Sequence, residues 1–322
     1  MSILVIGGAG YIGSQLSYML SDNNIIHTVI DNLSTGNKKL INPKASFFKV
    51  NYGDKKKITQ IIKKKKINCI IHLAASISVP ESMKKPIKYY DNNVINLINL
   101  LDAVKEAKVK FFLFSSTAAV FGDVNKIVSE KDFKNPNNIY GKTKLIGEDL
   151  IKYYAKNMKF NYAILRYFNV IGADNKGRTG PILNQGHLFG NILEGIITKK
   201  FSINVFGNNF KTKDGTGVRD YIDVQDISQI HIDTLRFLKK KHKSYEFNCG
   251  NSKGHSVMEI IKNFELITKK KFKIKFKKKR PGDVAKVVCD NKKIKRKLKI
   301  KFKKTIIESI QNSLNWKLNL KK

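Results

Sequence analysis

A chain of 322 residues with 42% hydrophobic composition can bury a large core, in one big domain or two closely joined ones. Its formal charge of +37 would suit a nucleic-acid or membrane-surface binder, but all but six of the 62 basic residues are lysine, spread along the whole chain. A nucleic-acid groove gathers charge on one face and uses arginine forks, so no specific nucleic-acid partner is expected; the charge serves solubility and attracts polyanionic ligands.

Cys69, Cys249 and Cys289 are far apart among apolar neighbours, with no zinc-ligand spacing and no disulfide framework. No metal is expected, and a reducing, cytoplasmic compartment fits. The first residues run straight into a strand without a signal peptide's layout, and no apolar run approaches membrane-spanning length, so no membrane partner is expected.

Ile3-Leu4-Val5-Ile6 is a short apolar strand of the kind buried on both faces of a parallel sheet, and a helical pattern follows through Leu16 and Leu20. Thr28-Val29-Ile30 is a second strand ending at Asp31. Ser46 to Val50 is a third, leading to Gly53-Asp54 and a helix over 58–65. Asn68 to Leu73 is a fourth, running into Ala74-Ala75. A long helix is predicted over 87–107, with Val94, Leu97, Ile98, Leu101 and Val104 on one face. Phe111-Phe112-Leu113-Phe114 makes a fifth strand, a helix over 138–158 follows, and Tyr162 to Phe168 is a sixth strand. The alternation predicts an α/β fold with a Rossmann-type, doubly wound parallel sheet. Beyond about Asn169 the elements shorten and turns multiply, which places a boundary between a cofactor domain over 1–169 and a smaller α/β lobe over 170–322. The lobe is expected to pack on the first domain without a flexible tether, across an approximate boundary that allows segments of the two to interweave. Lys271 to Lys277 alternates strictly and reads as a half-buried strand with its lysines in water.

Gly8-Ala9-Gly10-Tyr11-Ile12-Gly13 satisfies the dinucleotide fingerprint, and Gly7, Gly10 and Gly13 satisfy the three-residue spacing of short-chain dehydrogenases. The glycines permit a tight turn and a close backbone approach, so that a pyrophosphate rests on the helix N-terminus. Asp31, about 18 residues after Gly13, is placed to hold the adenosine ribose hydroxyls. Its carboxylate would repel a 2′-phosphate, so NAD is expected as cofactor.

Tyr140-Gly141-Lys142-Thr143-Lys144 places a phenol and an ammonium one helical turn apart. The cation favours the phenolate and is expected to lower the Tyr140 pKa from its usual value, with the Thr117 hydroxyl sharing the proton traffic. Tyrosine and lysine four apart also occur on ordinary lysine-rich surface helices, so the pair gains weight only from its company.

Taken together, the motifs resemble the extended short-chain dehydrogenase/reductase family, and within it the UDP-glucose 4-epimerases. The likeness runs through Gly7 to Gly13, Asp31-Asn32-Leu33, Gly53-Asp54, His72-Leu73-Ala74-Ala75, Tyr90-Asp91-Asn92-Asn93-Val94, Ser115-Ser116-Thr117, the Tyr140 pentapeptide and Leu165 to Asn169. It continues in Phe206-Gly207, in Asp214-Gly215-Thr216-Gly217-Val218-Arg219-Asp220-Tyr221 and in Arg280-Pro281-Gly282-Asp283. The resemblance implies that Gly7, Gly10, Tyr11, Ile12, Gly13, Asp31, Asn32, Asp54, Leu73, Ala74, Ala75, Asn93, Ser115, Tyr140, Lys144, Tyr167 and Phe168 bind NAD. It implies that Thr117, Asn169, Leu188, Phe206, Arg219, Arg280, Asp283 and Val287 hold a UDP-sugar. Tyr140, Lys144 and Thr117 would be the catalytic residues of a cytoplasmic isomerase serving galactose metabolism. It would form a homodimer through the helices near 87–107 and 138–158.

Among relatives, 4,6-dehydratases need an Asp-Glu pair directly after the threonine, where this chain has Ala118 and Ala119. UDP-glucuronate decarboxylases and epimerases keep the Tyr/Lys pair and stay open, and a non-catalytic NAD sensor is disfavoured by the intact triad. Ile77 stands where some epimerases place a lysine near the cofactor phosphates, and Phe121 and Thr117 replace a common tyrosine and serine. Val287 stands where some carry a bulky tyrosine, which leaves room for an N-acetyl group and makes a UDP-N-acetylglucosamine 4-epimerase the alternative reading.

Overall fold

The computed structural model describes residues 2–124, 126–182, 188–280 and 283–320. In chain order the elements begin β1 (Ile3–Ile6), α1 (Tyr11–Asp22), β2 (His27–Asp31), β3 (Ser46–Lys49), α2 (Lys55–Lys64) and β4 (Cys69–His72). Then come α3 (Val79–Lys84), α4 (Pro86–Tyr90), a π-helical turn Asp91–Ile95, α5 (Asn96–Glu106), β5 (Phe111–Thr117), β6 (Lys126–Val128), α6 (Ile139–Met158), β7 (Asn161–Tyr167) and β8 (Asn169–Ile171). The remainder is α7 (Leu188–Ile197), β9 (Ser202–Phe206), β10 (Val218–Asp223), α8 (Val224–Lys241), β11 (Tyr245–Cys249), β12 (Gly254–Ser256), α9 (Val257–Thr268), β13 (Lys273–Lys277), β14 (Lys286–Cys289), α10 (Lys292–Leu298) and α11 (Ile306–Asn319).

The chain divides into two compact units. The first comprises Met1–Gly122, Lys134–Tyr167 and Ser228–Phe247, and the second Asp123–Phe133, Phe168–Ile227 and Asn248–Lys322.

The first unit is built on a seven-stranded sheet in the order β11-β7-β5-β4-β1-β2-β3. The pairings from β7 through β3 are all parallel. The order reverses direction between β1 and β4, the point where a doubly wound sheet opens a crevice beyond its carboxyl ends. β1 and β4 are buried along their whole lengths, which is why they read as continuous apolar runs. On one face Leu97, Leu100, Leu101 and Val104 of α5 pack with Ile58 and Ile62 of α2 and with Phe112 and Phe114 of β5.

The long helix predicted over 87–107 is interrupted. Residues 86–106 form α4, the π turn and α5, because one extra residue is accommodated at 91–95. The stripe on it divides: Leu97, Leu101 and Val104 are core, while Val94 and Ile98 are half-buried.

In the second unit a five-stranded sheet runs β12-β10-β14-β6, with β8 beside β10, and β13 pairs with β9 in parallel. The buried carboxylate of Asp220 ties β10 to two neighbouring segments by accepting the N–H groups of Asn251, Ser252 and Cys289. Phe189, Phe264, Phe272 and Ile310 centre its core. The predicted alternation over 271–277 holds for Phe272, which is buried, but Phe276 is about half exposed. No helix among the described residues is long and apolar enough to cross a membrane.

Candidate active site

The glycine turn after β1 is held by its neighbours on both sides of the switch point. Gly7 adopts φ +83°, and a Cβ there would lie 2.7 Å from the Ala74 nitrogen at the end of β4. A Cβ on Gly8 would strike Val29 at 2.5 Å, and one on Gly13 would strike the Gly7 carbonyl at 2.2 Å. Packing within the protein therefore accounts for these three. Gly10 differs: its φ is −85°, and a Cβ there would meet only the Gly7 oxygen, at 3.3 Å. Gly10 leaves the first turn of α1 open to a close ligand. With no acidic side chain in that turn, the positive end of α1 at Tyr11 and Ile12 suits a pyrophosphate.

Asp31 anchors this turn from the end of β2. Its Oδ2 accepts the Ala9 N–H at 3.0 Å and its Oδ1 accepts the Leu33 N–H at 2.8 Å. Burial pushes its pKa up, against those two bonds, and lone pairs remain for ribose hydroxyls. Asn32 is exposed beside it, accepting the Ser34 N–H. Asp54 caps α2 by accepting the Lys57 N–H at 3.1 Å. That bond and the Lys57 ammonium hold its carboxyl below the usual range. Leu73, Ala74 and Ala75 leave β4, where the Leu73 N–H donates to the Ile6 carbonyl. Asn93 has both ends of its amide engaged. Its Oδ1 accepts the Ser76 N–H at 2.8 Å, and its Nδ2 donates to the Ser76 carbonyl and to Thr143 Oγ1. The side chain thus ties the segment after β4 to α6, and the π turn is what turns it inward. The family resemblance implies a cofactor-facing Asn93; the bracing comes from the geometry.

α6 starts where Asn138 accepts the Gly141 N–H at 2.8 Å and ends with Lys159 in the left-handed region. Thr117, the last residue of β5, hydrogen-bonds the Tyr140 phenol, and its Oγ1 also accepts the Ala119 N–H at 3.2 Å. One turn along, Lys144 is almost wholly buried. It donates to the Ser115 carbonyl at 2.8 Å, with its ammonium 4.8 Å from the centre of the Phe114 ring. The expected acidification of the phenol is not what the chain's own groups produce. Burial pushes Tyr140 up to about 12, only partly opposed by Thr117. Burial likewise draws Lys144 down to about 7. In a desolvated site both charged forms are disfavoured, and a neighbour four residues away does not outweigh that.

A buried cluster that the sequence did not single out lies one turn further along α6. Arg166 on β7 grips Glu148 bidentately at 2.8 and 2.6 Å, and Ser116 donates to the same carboxylate at 2.5 Å. Arg166 also pairs with Glu246, which Lys152 meets at 2.9 Å. The available signal was spacing: Tyr140, Lys144 and Glu148 share one helix face. Tyr167 closes β7 with its hydroxyl 2.6 Å from His231 Nε2.

The second unit gathers most of the expected sugar-nucleotide residues. Arg219 on β10 donates to the carbonyls of Val218 and Val284 at 3.0 and 2.9 Å and stands 3.8 Å from Asp283. Its register partner on β14 is Val287, which is half-buried. The Arg280 guanidinium lies over the Phe206 ring at 3.9 Å, and the Asp283 N–H donates to the Arg280 carbonyl. Pro281 and Gly282 of that motif lie outside the described residues. Asn169 is exposed on β8, Leu188 opens α7 against the core, and Phe168 is buried with its N–H on the Cys249 carbonyl. Two arginines with donors to spare near an aromatic ring suit a nucleoside diphosphate.

Known proteins with this arrangement are numerous. The chain is 40% identical to a UDP-glucose 4-epimerase of Lactobacillus helveticus over 91% of its length and 89% of that protein's. A UDP-glucose 4-epimerase from Stenotrophomonas maltophila, solved with NAD and formylated UDP-arabinopyranose, superposes with a TM-score of 0.96 at 31% identity, covering 100% of this chain and 99% of that one. The UDP-Glc/GlcNAc 4-epimerase of Campylobacter jejuni superposes with a TM-score of 0.86 at 34% identity, covering 99% of each chain. Residues 3–250 match the NAD dependent epimerase/dehydratase family, and the chain belongs to it.

Proposed function

We propose that this chain is an NAD-dependent UDP-glucose 4-epimerase, an isomerase that interconverts UDP-galactose and UDP-glucose by transient oxidation at C4. The observation that carries the reading is Lys144, one turn on from Tyr140 in α6, fixed to the Ser115 carbonyl of the strand that ends at Thr117 and is followed by Ala118 and Ala119. The set can move one proton on and off a hydroxyl, and neither alanine can drive an elimination.

NAD, when bound, supplies the hydride acceptor and donor and a positive charge beside the phenol. The open turn at Gly10 fits its pyrophosphate, with Gly7, Tyr11, Ile12 and Gly13 shaping the cradle. Asp31 and Asn32 take the adenosine ribose, and Asp54 the adenine side. Leu73, Ala74, Ala75, Asn93, Ser115, Tyr167 and Phe168 line its path. Tyr140, once ionised under the positive charges of Lys144 and the cofactor, would accept the proton of the C4 hydroxyl as that carbon is oxidised and return it on reduction. Thr117 passes or steadies that proton, and Lys144 contributes charge and a donor to the nicotinamide ribose. Arg219, Arg280, Asp283, Phe206, Asn169 and Leu188 hold the UDP-sugar firmly at its nucleotide end, so that the 4-keto sugar is free to turn over.

Val287 supports a second substrate class. It is the register partner of Arg219, a small side chain at that position would accommodate an N-acetyl group, and the Campylobacter relative is named for both sugars. A cytoplasmic homodimer goes with this reading. It is supported by Met83, Ile87, Ile95 and Tyr153, large apolar side chains exposed on α3, α4, the π turn and α6. Incubating the purified chain and NAD with UDP-galactose, and separately with UDP-N-acetylgalactosamine, tests the assignment. Conversion of neither sugar would reject it.

A further inference from the structure

Lys144 and Glu148 face the same way on α6, and each is fixed by the adjacent strand: Lys144 by the Ser115 carbonyl, Glu148 by the Ser116 hydroxyl. Consecutive residues of β5 thus fix two oppositely charged side chains one turn apart on α6. Glu148 is fully buried, and its oxygens are committed to Ser116 and to the Arg166 fork. Such a carboxylate cannot swing away, and water cannot screen it.

We propose that Glu148 is a positioning residue for proton transfer, its fixed carboxylate keeping the Lys144 ammonium charged and seated against β5. The inference rests on the epimerase reading for its purpose, but its physical content does not depend on the substrate. A purely architectural Glu148–Arg166 pair would clamp α6 to β7 and leave Lys144 indifferent to its charge. Two observations favour more than a clamp. Glu148 lies one turn from Lys144 on the same buried face of α6, and it is the charge that opposes the lowering of Lys144 by burial. The Phe114 ring and the Ser115 carbonyl, the other close partners of the ammonium, carry no net charge.

Other titratable groups around the pair are accounted for. His72 on β4 is pushed down to about 3 by burial and by the Lys144 charge, so it stays neutral. Tyr140 lies one turn before on the same helix. Around Glu148 stand Arg166 on β7, Glu246 on β11, Lys152 a turn later on α6 and Lys134 before it. Arg166 and Lys152 hold the Glu246 carboxyl down to about 2 against its burial, so that it remains their counter-charge when Glu148 is altered.

The test is an NMR titration of lysine labelled at the ε-carbon, with the Lys144 signal identified by its loss in Lys144→Met. In Glu148→Gln the Lys144 midpoint should fall by about one pH unit or more, a tenfold loss of the charged form above it. Glu148→Asp should restore most of the shift. The alkaline limb of kcat/KM for UDP-galactose should move with the midpoint. Should Glu148→Gln fail to fold, Glu148→Gln with Arg166→Met removes both charges at similar volume, and its Lys144 midpoint is read against Arg166→Met alone, so that only the carboxylate differs. A folded variant whose Lys144 midpoint stays at the wild-type value overturns the proposal. A wild-type chain that turns over no UDP-sugar would overturn the functional reading, while the titration still decides the role of Glu148.

Discussion

The Lys144 ammonium donates to the Ser115 carbonyl from inside a nearly closed core, 4.8 Å from the centre of the Phe114 ring. Holding a cation there costs stability. The folded-state pKa of about 7 lies below the ordinary lysine value of 10.5, so the unfolded chain binds the extra proton between those values. Stability therefore rises with pH across that window, and the cost is complete below about pH 7. Lys144→Met should be more stable than the parent by on the order of a few kcal/mol near pH 6, with the gain fading toward pH 10. Thermal unfolding of both chains across that range checks it. A constant difference would show that the lysine is not desolvated as its burial implies.

Tyr140→Phe removes the group that takes the C4 proton but keeps the ring and its packing. Epimerisation should fall by about 10²- to 10⁴-fold, with thermal stability nearly unchanged. Thr117→Ser should retain most activity, since the hydroxyl that meets Tyr140 is kept. Thr117→Ala should lose more than its methyl group explains. Initial rates with UDP-galactose, alongside melting curves, separate these outcomes.

Much of the first unit was legible because its signals are local. β1 and β4 are buried on both faces, so continuous apolar runs announce them, and the turn after β1 requires glycine at Gly7 and Gly13 against neighbouring backbone and at Gly8 against the Val29 side chain. The π turn at 91–95 was not legible, since one inserted residue leaves the apolar period of the flanking helices nearly intact. Glu148, Arg166 and Glu246 were missed because they meet only when α6, β7 and β11 are assembled, from positions up to 98 residues apart. The Tyr140 pKa was misjudged for a different reason. Spacing shows a neighbouring charge, but burial, which dominates here, is a property of the whole unit.

Arg219 spends part of its guanidinium on the Val218 and Val284 carbonyls and keeps the rest for a ligand. Arg219→Ala should raise KM for UDP-galactose by about 10- to 100-fold, the loss of one charged hydrogen-bonding group. Arg219→Lys should not rescue it, because a point charge cannot keep two backbone carbonyls and a phosphate at once. Steady-state kinetics with UDP as a competitive inhibitor measures the effect at the nucleotide end.

Val287 lies level with Arg219 across β10 and β14, so a larger side chain there would intrude where the sugar end of the ligand is assigned. Val287→Tyr should depress kcat/KM for UDP-N-acetylglucosamine at least about tenfold, a steric penalty of about 1.4 kcal/mol, while UDP-glucose is spared. Equal losses on both sugars would place Val287 in the support of Arg219 instead of the specificity of the site.

The glycine turn offers a way to separate packing from ligand binding within four residues. A methyl group on Gly13 would overlap the Gly7 carbonyl at 2.2 Å, so Gly13→Ala should destabilise the chain by about 1–3 kcal/mol or more, whether or not NAD is present. A methyl group on Gly10 meets only the Gly7 oxygen, at 3.3 Å, and that position has an ordinary negative φ. Gly10→Ala should therefore melt within a degree or two of the parent, a difference under about 0.5 kcal/mol. Yet it should weaken NAD binding at least about tenfold, because the new methyl stands where the pyrophosphate must approach the first turn of α1. Calorimetric titration of NAD into both variants, beside their melting curves, reads the two effects independently. A Gly10→Ala chain that binds NAD as the parent does would remove the cofactor from this turn.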